Sequence, residues 1–408
     1  MKRQPRSLHA LFVRARLLLA AAALAVSAGL VWIDDSGGVA AASPPTVPGT
    51  SCPSFLPDSV WNTPVTGLPV NAHSSQWLAS SGASGGRLLH PDFGDGYGLP
   101  VNVVRSGHAT TNFKFDYAAE SDPGAYPSGP DLKVEQGSDA HLITVDQDTC
   151  KLYEVYATND NGPGTAGSGA IYDLRSHALR PDGWTSADAA GLPILPGLVR
   201  REEVAAGAIR HAIRFTLQRT DRSHVWPARH DAGSASDSSL PPMGARFRLK
   251  SSFDTSGFGP EAKVVLAAMQ TYGTIVADNG SNWFFQGTDD PGWSTPAYHT
   301  MISQLKTVPA SAFEAVDESS LMVSPNSDQA RQPAGAPAPP PQGTPTPTPK
   351  PTAVATATPP SGTPTPIPLS TATPSPPRST PAAGSGQPAP KAPRKGGPGC
   401  TPDWAPIR

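Results

Sequence analysis

From Leu99 onward the chain is divided into short runs in which apolar and polar residues alternate, each bounded by Gly, Pro, Asp or Asn. Leu99 to Val104, Asn112 to Tyr117, His141 to Val145, Cys150 to Tyr156, Gly169 to Leu174, His211 to Leu217, Ala245 to Lys250, Thr274 to Ala277 and Trp283 to Gln286 therefore read as strands. Helical spacing stands out in two places. Pro260 to Tyr272 carries Val265, Ala268, Met269 and Tyr272 on one face behind a proline at a starting position, and Arg200 to Ala206 is a shorter turn ended by Gly207. Many short strands with few helices predict a mainly β fold, a single β-sandwich-like domain with one or two marginal helices.

Two stretches allow more than an element assignment. In HLITVDQDTCKLYEVY a turn centred on Gln147 and Asp148 sets Val145 opposite Cys150, Ile143 opposite Leu152 and His141 opposite Glu154, all on one face because strand side chains alternate with period two. Between the strand Ile171 to Leu174 and the strand ending at Leu217 runs a long loop with Pro181, Trp184, Pro193 and Pro196. Loops of that length in a compact domain are usually binding or lid segments, so this one is expected to cover a site.

The two ends are set apart from the fold. Lys2, Arg3, Arg6, Arg14 and Arg16 precede an apolar run from Leu17 to about Ile33, the order of a secretory signal; residues 1–42 read as a signal peptide, or as an uncleaved anchor. From Ser327 to Arg408 the chain is mainly Pro, Thr, Ala, Ser and Gly, which cannot bury enough apolar surface to offset the entropy of ordering it, and it reads as a disordered Pro/Thr-rich stalk. The β-rich domain is assigned to residues 51–317, in a secreted, extracellular and monomeric protein that touches a membrane only through its N-terminal segment if that stays uncleaved.

The formal net charge of −2 at pH 7, with no basic stripe, gives no electrostatic footprint for nucleic acid. Three cysteines suit an exported chain with one disulfide. Cys52 and Cys150 would close a loop worth on the order of 4 kcal/mol. Cys400 is left over in the tail, and no paired-cysteine spacing suggests zinc. HExxH, GxxxxGK[ST] and EF-hand loops are missing, and no cofactor or metal is assigned.

Candidate chemistry lies in embedded polar residues. His141 and Glu154 form either an acid/base pair or a cross-strand ion pair. Asp173, beside Ile171 and Arg175, is either a catalytic carboxylate or the anion of a salt bridge that holds the long loop. In HVWPARHD, His230 is a second candidate base, Arg229 a cation and Trp226 a flat face for a sugar ring; Trp184 is another such platform. His211 points to the apolar face of its strand and is placed in the core, with Arg214 pointing away. Asp278 either faces the same cleft or caps an Asn279-Gly280 turn joining two strands.

The stretches DSVWNTPV, HPDFGDGYGLP, DAHLITVDQDTCKLYEVY, SGAIYDLRSHALRPDGWTSADAAGLPILPGLVRREEV and YGTIVADNGSNWFF resemble a family of exported bacterial proteins of unassigned function. The resemblance spans about Pro57 to Asp317 and implies one coherent extracellular domain without supplying a catalytic residue. The expected role is a secreted carbohydrate-active enzyme on extracellular or cell-wall polysaccharide. In a hydrolase Glu154 and Asp173 would be the two carboxylates; in a lyase His141 or His230 would take the proton while Arg229 neutralised a uronate. The alternative is a non-catalytic carbohydrate- or wall-binding, or structural, envelope protein.

Overall fold

The computed structural model describes residues 45–332 apart from Asp95. The signal segment, Cys400 and nearly all of the Pro/Thr stalk lie outside the described residues.

The alternating runs form strands. In chain order these are β1 (His90–Asp92), β2 (Val101–Val104), β3 (Thr110–Thr111), β4 (Lys114–Phe115), β5 (Tyr126–Pro127), β6 (Leu142–Asp146) and β7 (Lys151–Tyr156). They continue with β8 (Thr165–Ala166), β9 (Ser168–Asp173), β10 (Ile213–Leu217), β11 (Arg246–Leu249), β12 (Thr274–Asn279), β13 (Phe284–Gln286) and β14 (Phe313–Val316). A six-stranded sheet has the order β1-β13-β10-β12-β11-β14, and a four-stranded sheet the order β2-β6-β7-β9. Within the larger sheet β10 runs parallel to β12 and antiparallel to β13, so the sheet is mixed.

One apolar cluster joins both sheets. It takes Ile143, Val145, Leu152, Ala170 and Tyr172 from the smaller sheet and Phe215, Phe247, Ile275 and Phe285 from the larger. Fully burying each such side chain contributes about 1.5 to 3 kcal/mol. The fold is mainly β and sandwich-like. Among the described residues four α-helices lie beside the strands: α1 (Ser74–Ser80), α2 (Arg201–Ala205), α3 (Pro260–Thr271) and α4 (Pro296–Leu305). The helical spacing from Pro260 is realised in α3, which starts on that proline and buries Val265, Ala268 and Met269. Neither α1 nor α4 is among the expected helices, although α4 carries Tyr298, Met301, Ile302 and Leu305 at helical spacing against the core.

Two readings of connectivity need correction. The β6–β7 hairpin pairs Val145 with Leu152 and Ile143 with Glu154, an offset of two from the expected register. Asp146 Oδ1 accepts the N–H groups of Asp148 and Thr149, and Cys150 turns out of the ladder at φ +54°, so four residues rather than two make the turn. An even offset preserves the face, so His141 and Glu154 still point to the same side. The strands flanking Asn279-Gly280 do not pair as a hairpin, because β10 lies between them. The connection crosses the end of β10, with Gly280 N donating to Leu217 O and Trp283 N to Thr216 O.

The long loop is also unlike its expectation. Residues 185–200 are buried except for half-buried Ala189, and Ala187, Ala190, Leu192, Ile194, Leu195, Leu198 and Val199 all belong to the core. This segment is filling rather than lid. Cys52 and Cys150 form the disulfide, with a Cα–Cα distance of 5.3 Å and a sequence separation of 98. The packed region continues past Asp317, because Ser327 and Gln329 bridge to Ala178 and Ser59.

Candidate functional site

A buried stretch of irregular backbone must have its polar groups satisfied from within. Ser186 Oγ lies 2.7 and 2.6 Å from the carbonyl oxygens of Asp188 and Leu192, shares its one proton between them, and accepts the Asp188 N–H. Glu154, pointing inward from β7, accepts the N–H of Ile194 at 3.0 and 2.9 Å and that of Leu195 at 2.9 Å. Burial pushes its carboxyl up to about 7 although those donors favour the charged form. The expected partner of His141 is thus occupied in holding the loop.

Beside that turn lies a mixed cluster of charges. Arg214 of β10, facing away from Phe215, donates Nε to Asp188 Oδ2 at 2.9 Å and a terminal nitrogen to Asp188 Oδ1 at 2.7 Å. Its other terminal nitrogen bonds Gln286 Oε1 on β13, and Gln286 pairs in register with Asp92 on β1. Such a two-pronged pairing is what permits an arginine to be buried.

His141 enters from the smaller sheet. Its Nδ1 bonds Glu135 Oε2 and its Nε2 lies 3.1 Å from Ala187 O. A carboxylate and a carbonyl only accept, so both ring nitrogens must carry protons and the ring is an imidazolium. Burial opposes that charge, but the hydrogen bond and charge of Glu135 outweigh it and lift the pKa to about 9. In return, His141 overcomes the effect of burial on Glu135 and holds its carboxyl below the ordinary value.

Asp278, near the end of β12, accepts the Asn279 N–H at 2.6 Å through Oδ1 and places Oδ2 4.0 Å from Arg214. Burial, then repulsion from Asp188, pushes its carboxyl up to about 8, with Arg214 opposing. Asp92 is raised in the same way, by burial and then by Glu135. His90 stacks on Phe284 at 3.8 Å and is driven down to about 4 by burial and Lys306, so it is neutral.

Side-chain exposure grades from 0% for Asp188 and 5% for Arg214 to 22% for Glu135 and 24% for Asp278. The inner pair is sealed, whereas the two outer side chains are partly exposed. Around one fixed cation the cluster therefore presents a carboxyl that keeps its proton and a carboxylate that has lost it, the separation of roles that acid/base chemistry requires.

The other expected residues sit elsewhere. Asp173 is exposed on the outer face of β9, opposite Lys151, while Glu154 pairs with Ala170 and faces inward. The two carboxylates lie on opposite sides of one sheet and do not converge. Asp173 Oδ1 accepts the backbone N–H of Arg175 rather than pairing with its guanidinium. His230 contacts Ala189 O at 2.8 Å and lies 3.5 Å from Glu120. The Arg180 guanidinium lies 5.5 Å from the Trp184 ring centroid, and the Trp226 indole donates to Ser327 O. Arg229 is buried with its donors on Arg180 O, Pro325 O and Asn326 Oδ1. His211 lies in the core facing Glu203.

Glu135, Asp188, Asp92 and Gln286 were not foreseen, and Arg214 was read as pointing away. The available signal was the unbroken apolar run around Asp188, ADAAGLPILPGLV, which reads as interior although it has neither helical nor strand period. Among the described residues no three His, Cys, Asp or Glu side chains are grouped to hold a metal ion. No family model, curated protein or solved structure matches the chain.

Proposed function

We propose that the protein is a secreted glycoside hydrolase acting on extracellular or cell-wall polysaccharide, with Asp278 as general acid and Glu135 as the ionised carboxylate. The observation that carries this reading is the opposite perturbation of the carboxyls of two partly exposed side chains beside one buried arginine. At neutral pH Asp278 retains a proton to give to the glycosidic oxygen as its bond to the anomeric carbon breaks, while a water forms the new bond to that carbon and gives its proton to Glu135. Both Glu135 bonds to His141 use Oε2, so Oε1 is left outside that pair. Arg214, fixed by Asp188 and Gln286, is the buried cation whose charge both carboxyls feel.

The lyase alternative has less support. Neutralising a uronate needs an accessible cation, and Arg229 and Arg214 are both buried, each with three of its five donors on protein acceptors. The test is release of reducing ends from a panel of neutral and uronic polysaccharides by the full secreted protein, with parallel ultraviolet detection of unsaturated uronates. Asp278→Asn and Glu135→Gln, checked for folding by circular dichroism, should each lower turnover by about 10² to 10⁴-fold. Undiminished turnover in either variant, or ultraviolet product without hydrolysis, would overturn the assignment. Retention on an insoluble glycan with no product from any substrate would favour the non-catalytic binding module.

A further inference from the structure

The last described residues form a strap across the domain. Ser327 and Gln329 bridge to Ala178 and Ser59. Trp226 donates to Ser327 O, and Arg229 donates to Pro325 O and Asn326 Oδ1. At the strap's centre Asp328 is buried, its Oδ2 accepting from Ser59 Oγ at 2.6 Å and its Oδ1 lying 2.6 Å from His177 Nδ1. The second ring nitrogen of His177 lies 3.0 Å from Asp58 Oδ1. Asp58 Oδ2 in turn accepts from Gln329 Nε2 at 2.9 Å.

His177 is therefore clamped between one carboxylate from the entry segment and one from the strap. A neutral imidazole can donate to only one of them and would turn a lone pair toward the other; the imidazolium satisfies both with charge-assisted bonds. We propose that His177 is a pH-controlled latch, which holds the strap 323–331 against the domain while protonated and lets it lift when the proton leaves. The latch uses none of the residues assigned to hydrolysis. Lifting frees the Trp226 indole and the Arg229 guanidinium, an aromatic and cationic surface at the point where the chain enters its Pro/Thr tail.

The charged groups that face His177 are Asp328 and Asp58; Arg331, on the strap itself, bonds Ser320 O and Met322 O instead. The bond to Asp328 raises the histidine's pKa against the opposing effect of burial, and Asp58 adds to it. With the strap lifted the Asp328 bond is lost while Asp58 stays beside the ring, so the value falls toward, but not below, the ordinary value of about 6.5. The latch is thus fully effective below that pH and is lost as pH rises through the raised value. Between the two, the opening constant grows about tenfold per pH unit.

Amide hydrogen exchange of the full secreted protein, read by mass spectrometry from pH 6 to 9 and corrected for intrinsic base catalysis, measures that opening. Peptides covering 323–331 should accelerate by about tenfold per pH unit inside the window while β10 amides stay protected, and His177→Gln should exchange fast at every pH. A flat corrected profile in the wild type, or the same slope in His177→Gln, would overturn the latch. If His177→Gln does not fold, Asp328→Asn provides the second test, because Asp328 is the partner that leaves with the strap: a narrower window supports the latch and an unchanged profile refutes it.

Discussion

Removing the Asp188 side chain tests whether the charge cluster is a true interior site. Asp188→Ala leaves Arg214 buried without the carboxylate that takes two of its donors, at 2.9 and 2.7 Å. Each bond to a charged group contributes about 1.5 to 3 kcal/mol, and breaking a buried pair by removing one partner costs about 3 to 5 kcal/mol. Part of that loss is recoverable. Asp278 lies 4.0 Å from Arg214 and owes some of its raised pKa to Asp188. Without Asp188 it ionises more readily and takes over as counter-ion. The destabilisation should therefore be larger at about pH 5.5, where less of Asp278 is ionised, and shrink toward pH 8. Urea unfolding at both pH values reads this as a change in midpoint at constant slope. A loss below about 1 kcal/mol at pH 5.5 would be the behaviour of an exposed pair and would refute a sealed cluster. Adding Arg214→Met to Asp188→Ala should recover most of the stability, because no unpaired charge then remains.

Further outcomes follow from single features. Cys52→Ser with Cys150→Ser opens a loop spanning 98 positions and should cost about 4 to 5 kcal/mol, seen in calorimetry as a melting point lower by roughly 10 °C; a shift under about 3 °C would contradict it. Because the folded His141 pKa is raised to about 9, its ion pair with Glu135 contributes fully below about pH 6.5 and is lost as pH rises toward 9. Stability measured by denaturant should fall across that interval in the wild type, and less steeply in His141→Gln. Gly191 has φ +69°, and a Cβ there would press on the Trp184 carbonyl oxygen, whereas Gly207 has φ +80° with open space around it. Gly191→Ala should then cost well above the roughly 1 kcal/mol expected of Gly207→Ala, and equal losses would deny the tight packing.

What the sequence disclosed was the side of each strand, more than its neighbours. His141, Glu154 and Leu152 were placed on one face correctly although the turn was two residues too short, because an even slip leaves the alternation intact. The contributions of Cys150's left-handed backbone and of the Asp146 side chain to the turn have no period to announce them. Arg214 was read as pointing away from the core because Ile213, Phe215 and Leu217 alternate with it. In a strand covered on both sides, away from one core is into another, and all of Ile213–Leu217 is buried. Glu135 lies outside any strand and joins His141 only through the path of the chain, which local pattern does not encode. Asp188 lies in a connecting segment, and such segments are ordinarily on the surface; its burial depends on a guanidinium 26 positions away.

The interior course of residues 185–200 reverses the usual map of where this protein can change. Connecting segments ordinarily accept insertions, inserted domains and new termini at small cost. Here each added residue would have to displace core side chains or strand a backbone group away from Ser186, Glu154 or the neighbouring strands. In an insertion scan this connection should be as intolerant as β10 itself, while the glycine-rich turn at Gly82 to Gly86 accepts cargo. Grafting new functions onto this scaffold should therefore begin at that turn.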